Sequence, residues 1–413
     1  MNAAAGMRVL MLLENNAFPQ DRRVAAEASA LTQAGYRVTV IAPALPGQPW
    51  HEVENGVTTY RYAAPSSVNG ILGFVWEYSY SLAASFALSL LVFFRTGFDI
   101  VHAHNPPDLF VFIAAFYKMF GARFVFDHHD LSPEMFGARF GGDRRTAIHS
   151  AIHRVLVSLE KLSCRLADQV IATNESYAVV EAERARVPGD RITVVRNGPN
   201  LDIIRPVDPD PALRGMGKTI IGYVGIMGVQ DGVDGLLRAL KHLIADLGRT
   251  DVFCVLVGDG DAWPRLKVLA RELELEAFVW FTGPLAHADW LPYLCAADIC
   301  VEPAPSNPYN DRSTAVKMME YMALSKPIVA FDLPEHRFTA RDAACYVERN
   351  DEREFASALA RLMDDRERRE TMGAFGRQRV ESALAWPHSV TSLLSVYANL
   401  LPEQTAAQWT AKP

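Results

Sequence analysis

Thr219-Ile-Ile-Gly-Tyr-Val224 and Val252-Phe-Cys-Val-Leu-Val257 bracket a stretch, Gly232–Asp246, with the apolar spacing of a helix. Two short β-branched runs joined through a helix make a strand–helix–strand unit. Such units build parallel sheets with helices on both faces. The pattern continues downstream: Phe278–Thr282, Asp298–Val301, Pro327–Phe331 and Cys345–Val347 read as strands. Asp261–Leu273, Ser313–Ala323, Glu352–Asp364 and Arg366–Leu384 read as helices. Upstream, strands are expected at Arg8–Leu13, Arg37–Ala42, Thr58–Tyr62, Ile100–Ala103, Arg123–Asp127 and Gln169–Ala172. Helices are expected at Arg22–Ala34, Pro107–Phe120 and Ala147–Ala167. Gly35 and Gly121 stand where helix C-terminal glycines belong.

Between the halves, Asn197–Lys218 carries four prolines and three glycines without apolar period and reads as a linker. The expected organisation is an α/β chain of two Rossmann-like, doubly wound domains facing across a cleft. They span residues 1–197 and 198–385. Residues 386–413 form a helix returning toward the first domain, then a loose tail. Ligands of such sheets lie outside the carboxyl ends of the strands, so functional residues are expected just after strands.

Half of the 413 residues are apolar and 22% are charged, which excludes a disordered chain. A net charge of −7 argues against a nucleic-acid partner, which needs a basic footprint. The five cysteines form no CxxC pair; reduced thiols in a cytoplasmic protein are expected, and no zinc site. Met1–Met7 has no basic region followed by a cleavage site, so no secretory signal is expected there. Tyr78–Phe94 has no charged residue, and its length is near the short limit for a membrane span. A buried or interfacial helix is expected there.

Chemistry concentrates in Asn310-Asp-Arg-Ser-Thr-Ala-Val-Lys-Met-Met-Glu320-Tyr-Met-Ala, which follows a strand. Ser313 or Thr314 is a good N-cap, and the free N–H groups of a helix start suit a diphosphate. Lys317 and Glu320 share a face, so the carboxylate is placed to accept ribose hydroxyls. A capped surface helix with an ordinary Lys–Glu pair is the plain alternative.

This stretch, with Leu324-Ser-Lys-Pro-Ile-Val-Ala-Phe-Asp332, resembles the donor-site helix of the retaining GT4 family of GT-B glycosyltransferases. The resemblance assigns Glu320 to the ribose. It places Arg312 where the family has a first glutamate, with Asp311 beside it. Ile221-Gly-Tyr-Val-Gly-Ile-Met-Gly-Val-Gln-Asp-Gly-Val-Asp234 is similar to the strand and loop opening the family's second domain. There Ile226 and Asp231 replace the usual Arg and Lys. Gly225 and Gly228 would then supply backbone donors to the diphosphate, and Lys317 or Arg312 the charge. Leu256-Val-Gly-Asp-Gly-Asp261 resembles the family's glycine turn, implying donor contacts from Gly258 and Asp259. Phe126-Asp-His-His-Asp-Leu-Ser-Pro-Glu134 resembles its His-Asp turn, implying that His129 meets the donor sugar at the reacting centre, with His128 second. Phe18-Pro-Gln-Asp-Arg-Arg-Val24 is similar to a bacterial branch of the family, and Asp99-Ile-Val-His-Ala-His-Asn-Pro-Pro-Asp108 resembles the family's Asp-Val-Val-His-Ala-His turn. They suggest an acceptor side with Arg22, His104 and Asp108, to which His128 of the His-Asp turn is added. The matches run in the family's order through roughly residues 8–390.

The resemblance implies metal-independent, retaining transfer from a nucleoside diphosphate sugar, a UDP-sugar first, with no cofactor. The expected acceptor is a saccharide or lipid-linked saccharide of surface polysaccharide synthesis. Peripheral inner-membrane contact through residues 71–94 is a hypothesis. Two alternatives stand: a sugar-nucleotide 2-epimerase of the same fold, and a catalytically silent binding subunit.

Overall fold

The computed structural model describes residues 6–65, 71–140 and 147–400. The tail after Pro402 lies outside them. The chain divides into two compact units. The first comprises residues 1–137, 141–196 and 389–413; the second comprises 138–140 and 197–388.

Unit 1 is built on eight strands: β1 (Arg8–Leu12), β2 (Arg37–Ala44), β3 (His51–Glu54), β4 (Val57–Ala63), β5 (Ile100–His104), β6 (Arg123–His128), β7 (Gln169–Ala172) and β8 (Ile192–Val194). Their order is β3-β4-β2-β1-β5-β6-β7-β8, parallel except for the β3–β4 pair. The first helix, α1 (Arg22–Gln33), is started by Asp21, whose carboxylate accepts from Val24 N at 3.0 Å. It stops at Gly35, where φ is 94° and Tyr36 N reaches back to Leu31 O. The second is α2 (Ile71–Arg95), and α3 (Val111–Lys118) follows β5.

Unit 2 has β9 (Thr219–Val224), β10 (Val252–Val257), β11 (Val279–Gly283), β12 (Ile299–Glu302), β13 (Ile328–Phe331) and β14 (Ala344–Val347). All run parallel in the order β11-β10-β9-β12-β13-β14, the Rossmann order with its switch point between β9 and β12. Alternate residues feed opposite faces. Ile221, Tyr223, Cys254 and Leu256 enter one core, and Ile220, Val224, Val255 and Val257 enter the other. Apolar contact on both faces explains why these strands read as continuous apolar runs.

The strands expected from sequence are present to within a residue or two. Three expectations change. The helix carrying Lys317 begins at Val316, not Ser313, with Ala315 at its N-cap and no side-chain cap. Ser313 Oγ instead donates to Tyr309 O, and Thr314 Oγ1 donates to Glu335 Oε2, so neither hydroxyl caps the helix. The stretch 197–218 is no free linker. Ile204 and Leu213 are buried in a unit 2 core, and Asp210 caps a short helix, Pro211–Arg214. Finally, β3 and β8 went unpredicted; neither carries a buried apolar run.

Candidate active-site residues in the two units

In unit 2, β9, β10 and β12 end side by side. The chain leaving β9 passes directly under the chain leaving β10. A Cβ on Gly258, whose φ is +123°, would lie 2.1 Å from Gly225 O. Only glycine permits this approach. A Cβ on Gly225 (φ +149°) would come 3.1 Å from Lys317 Cε. Gly228 N donates to Asp231 Oδ2 at 3.0 Å, and Asp259 lies exposed on its turn with its carbonyl accepting from Met227 N.

Lys317 sits beneath these turns. Its ammonium lies 3.2 Å from Glu302 Oε2, 3.3 Å from Asp231 Oδ1 and 3.3 Å from the Tyr223 hydroxyl, over whose ring it rests. The Glu302 contact is an ion pair without hydrogen-bond alignment, since Oε2 has no hydrogen-bond donor among the described residues. Burial pulls the Lys317 pKa down, but Glu302, Tyr223 and Asp231 outweigh it and hold the amine well above its usual value. Burial pushes the Asp231 carboxyl up, against the pull of Lys317. Glu320 is buried one turn beyond Lys317. Asp311 accepts from Ser306 Oγ at 2.9 Å, and Arg312 donates to Pro308 O at 3.1 Å. Ile226 is 71% exposed, so nothing cationic stands at that position.

In unit 1, His129 immediately follows β6 and joins a cluster drawn from α1, β5 and β6. Its Nε2 lies 2.9 Å from Arg23 Nε, 2.9 Å from Asp127 Oδ2 and 3.2 Å from His104 Nδ1. Arg23 also donates Nη2 to Asp127 Oδ1 at 2.9 Å and Nη1 to Val195 O at 2.8 Å, and it pairs with Glu27 at 3.0 Å. His102 stacks on His104 and places Nδ1 2.7 Å from the hydroxyl of buried Tyr397. Burial, reinforced by Asp127, raises Glu27 well above its usual value. Burial also acts upward on Asp127, but Arg23 and His129 hold it well below. One carboxylate therefore balances one guanidinium. Burial lowers both His102 and His104, keeping them neutral.

Glu27, His102, His104 and Asp127 bring ligand atoms within 4.8 Å of one another, the spacing of a metal site. The Arg23 guanidinium already occupies it as the resident cation, 3.0 Å from Glu27 and 2.9 Å from Asp127, so the donor set does not fit a divalent ion.

The expected acceptor-side residues divide. Arg22 is exposed, and its neighbour Arg23 makes the buried contacts; the helical turn alone decides between them. His128 is fully buried, 3.1 Å from Glu181 and 3.8 Å from Glu160. It is an internal charge partner of those carboxylates in this structure. Asp108 and His104 are buried too: Asp108 accepts from Asn105 Nδ2, and His104 belongs to the His129 cluster. Sequence reasoning missed Arg23, Glu27, Asp127, Tyr223 and Glu302; Arg23 with Asp127, and Tyr223 with Lys317, are joined only by contacts far along the chain.

Residues 20–203 match the family described as Glycosyltransferase Family 4, and residues 218–365 match Glycosyl transferases group 1. A D-inositol 3-phosphate glycosyltransferase of Thermobispora bispora is 29% identical over 249 residues, covering 57% of this chain and 57% of that protein. The chain thus spans little more than half the length of that relative. A GDP-mannose-dependent monoacylated alpha-(1-6)-phosphatidylinositol monomannoside mannosyltransferase of Corynebacterium glutamicum is 31% identical over 158 residues, 38% of this chain and 40% of that one. Among solved structures, sucrose-phosphate synthase from Thermosynechococcus elongatus superposes with a TM-score of 0.77 at 20% identity, covering 95% of this chain and 99% of that one. An Anabaena protein solved with UDP-glucose superposes at 0.71 and 17% identity, covering 95% and 100%.

Proposed function

Because the chain belongs to glycosyltransferase family 4 and has the GT-B fold, we propose that it transfers a sugar from a nucleoside diphosphate sugar to a hydroxyl acceptor with retention. The bond from the anomeric carbon to the diphosphate oxygen breaks, and the acceptor oxygen bonds to that carbon. The acceptor proton goes to the departing diphosphate. No metal takes part. The observation that carries this reading is the unit 2 arrangement: Lys317 lies under the backbone of Gly225–Gly228 and Gly258, with Glu320 one turn on, at the carboxyl ends of β9, β10 and β12. The N–H groups of Gly225, Met227, Gly228 and Gly258 are engaged by Val257 O, Asp259 O, Asp231 Oδ2 and Gly283 O, against the expectation of backbone donors there. The Lys317 ammonium is therefore the group proposed to stabilise charge that grows on the leaving diphosphate. A UDP-sugar is the proposed donor, UDP-glucose being the ligand of the Anabaena structure; a GDP-sugar is the competing outcome.

Thermal-shift screening with UDP-, GDP- and ADP-sugars, followed by diphosphate release assays, tests the reading. Glu320→Ala should weaken donor binding, and His129→Ala should lower turnover. If no nucleotide sugar raises the melting temperature, the proposal fails. The pairing of Lys317 with two carboxylates favours one second reading, a silent binding subunit, because the ammonium charge is already offset. Donor binding without turnover would select it.

The proposed acceptor is saccharide carried on lipid at the cytoplasmic face of a membrane, in surface polysaccharide synthesis. Helix α2 supports this. Val75–Arg95 is long and apolar enough to cross a bilayer, yet Ser81, Ser85 and Ser89 form its buried stripe. Of its exposed positions, Val75, Trp76, Ala83, Ala87 and Phe94 are apolar, Ser79 is polar, and the one charge, Arg95, stands at the helix end. Phe120 packs near Phe93 and, with Met119, extends the apolar face beyond α3. A mainly apolar outward face of this kind suits a lipid surface. Co-sedimentation with vesicles containing phosphatidylglycerol, lost in Phe94→Asp/Phe120→Asp, is expected; an unbound wild-type protein refutes it.

A further inference from the structure

Accepting that His129 works at the reacting centre, we infer that Arg23 and Asp127 are positioning residues that commit its Nε2 inward, so that the ring meets the sugar through Nδ1. Three observations converge. First, every recorded polar contact of the ring is made by Nε2, with Arg23, Asp127 and His104 all within 3.2 Å. None involves Nδ1 among the described residues. Second, the ring cannot turn over cheaply. A flip about the Cβ–Cγ bond would set a C–H edge against a guanidinium and a carboxylate that are both buried, leaving their polar atoms without that partner. Third, the clamp is itself fixed. Arg23 is tied to Val195 O, Glu27 and both oxygens of Asp127, and Asn105 Oδ1 accepts from the backbone N–H groups of His129 and Asp130. His102, held by Tyr397, backs His104 from behind. A histidine whose inner nitrogen is fixed by neighbours has its other nitrogen assigned to substrate.

Side-chain amides separate the two ring edges, because the Asn amide nitrogen overlays His Nδ1 and the Gln amide nitrogen overlays Nε2. Turnover is read as release of UDP from UDP-glucose or GDP from GDP-mannose, whichever the wild-type protein supports, with melting curves to confirm folding. His129→Ala should lose roughly a hundredfold in kcat. His129→Asn should keep about tenfold more kcat than His129→Gln, with similar donor KM. Equal loss in the two amide variants, or a more active Gln variant, overturns the inference while leaving His129 at the centre. Full activity in His129→Ala removes His129 from the centre, and this inference with it. A ligand-free measurement stands beside the assay. In protein labelled with 15N-histidine, Arg23→Lys should displace the His129 Nε2 resonance and leave Nδ1 in place; displacement of Nδ1 alone overturns the inference.

Discussion

Replacing Lys317 by Met separates its structural contribution from its catalytic one. The ammonium is the positive partner of Glu302, which is completely buried and whose other oxygen accepts from Ala304 N. Removing one partner of a buried ion pair strands the other and costs roughly 3–5 kcal/mol. In a domain of this size each kcal/mol moves the melting temperature by about 2–4 °C, so Lys317→Met should melt roughly 6–20 °C lower. The double variant Lys317→Met/Glu302→Gln removes the ammonium and the fully buried carboxylate, leaving Asp231 without its cation, and should recover part of that loss. Turnover should not recover, because no ammonium remains to face the leaving diphosphate. Differential scanning calorimetry and diphosphate release on the same preparations read the two effects separately. A single variant melting within about 2 °C of wild type, with donor affinity and turnover intact, would refute both the ion pair and its proposed contact with the diphosphate.

Other outcomes follow from the same contacts. Gly258→Ala should abolish donor binding and lower the melting temperature, since its Cβ cannot fit beside Gly225 O; unaltered calorimetry and affinity would show that the two turns separate freely. Stability should depend on His128. Burial lowers its pKa, but Glu181, Glu160 and Asp108 outweigh that and lift it to about 9. A raised folded value means that this stabilisation is complete below the unfolded pKa near 6.5 and fades as pH rises through about 9. Urea melts between pH 6 and 10 should show the decline, and His128→Gln should flatten it. Asp210→Ala should cost about 1 kcal/mol in the same assay, because the carboxylate caps Leu213 N at 2.8 Å.

The strands other than β3 and β8 were legible as mainly apolar runs between turn residues, and the glycines of the unit 2 turns were legible because their spacing is local. What escaped is long-range. Arg23 and Asp127 are 104 positions apart, and no window of sequence links them. Arg22 and Arg23 are alike by composition; only the angle of α1 sends the second inward. The helix start near Lys317 was misplaced because Ser313 and Thr314 are good caps by type, whereas their hydroxyls serve Tyr309 and Glu335. The burial of His104, Asp108 and His128 was not legible either, since a polar residue after a strand looks the same whether it faces solvent or an internal carboxylate.

The route of the chain bears on its synthesis. Residues 389–400 belong to unit 1, where Tyr397 packs on Tyr36 and reaches His102. On a ribosome, the segments of unit 2 are all made before that final piece emerges. We therefore expect unit 2 to become protease-resistant first, although unit 1 is begun first. Nascent chains arrested just after His388 has cleared the exit tunnel should show a resistant unit 2 beside a cleavable unit 1. Equal resistance in both would mean that the returning helix is dispensable for unit 1.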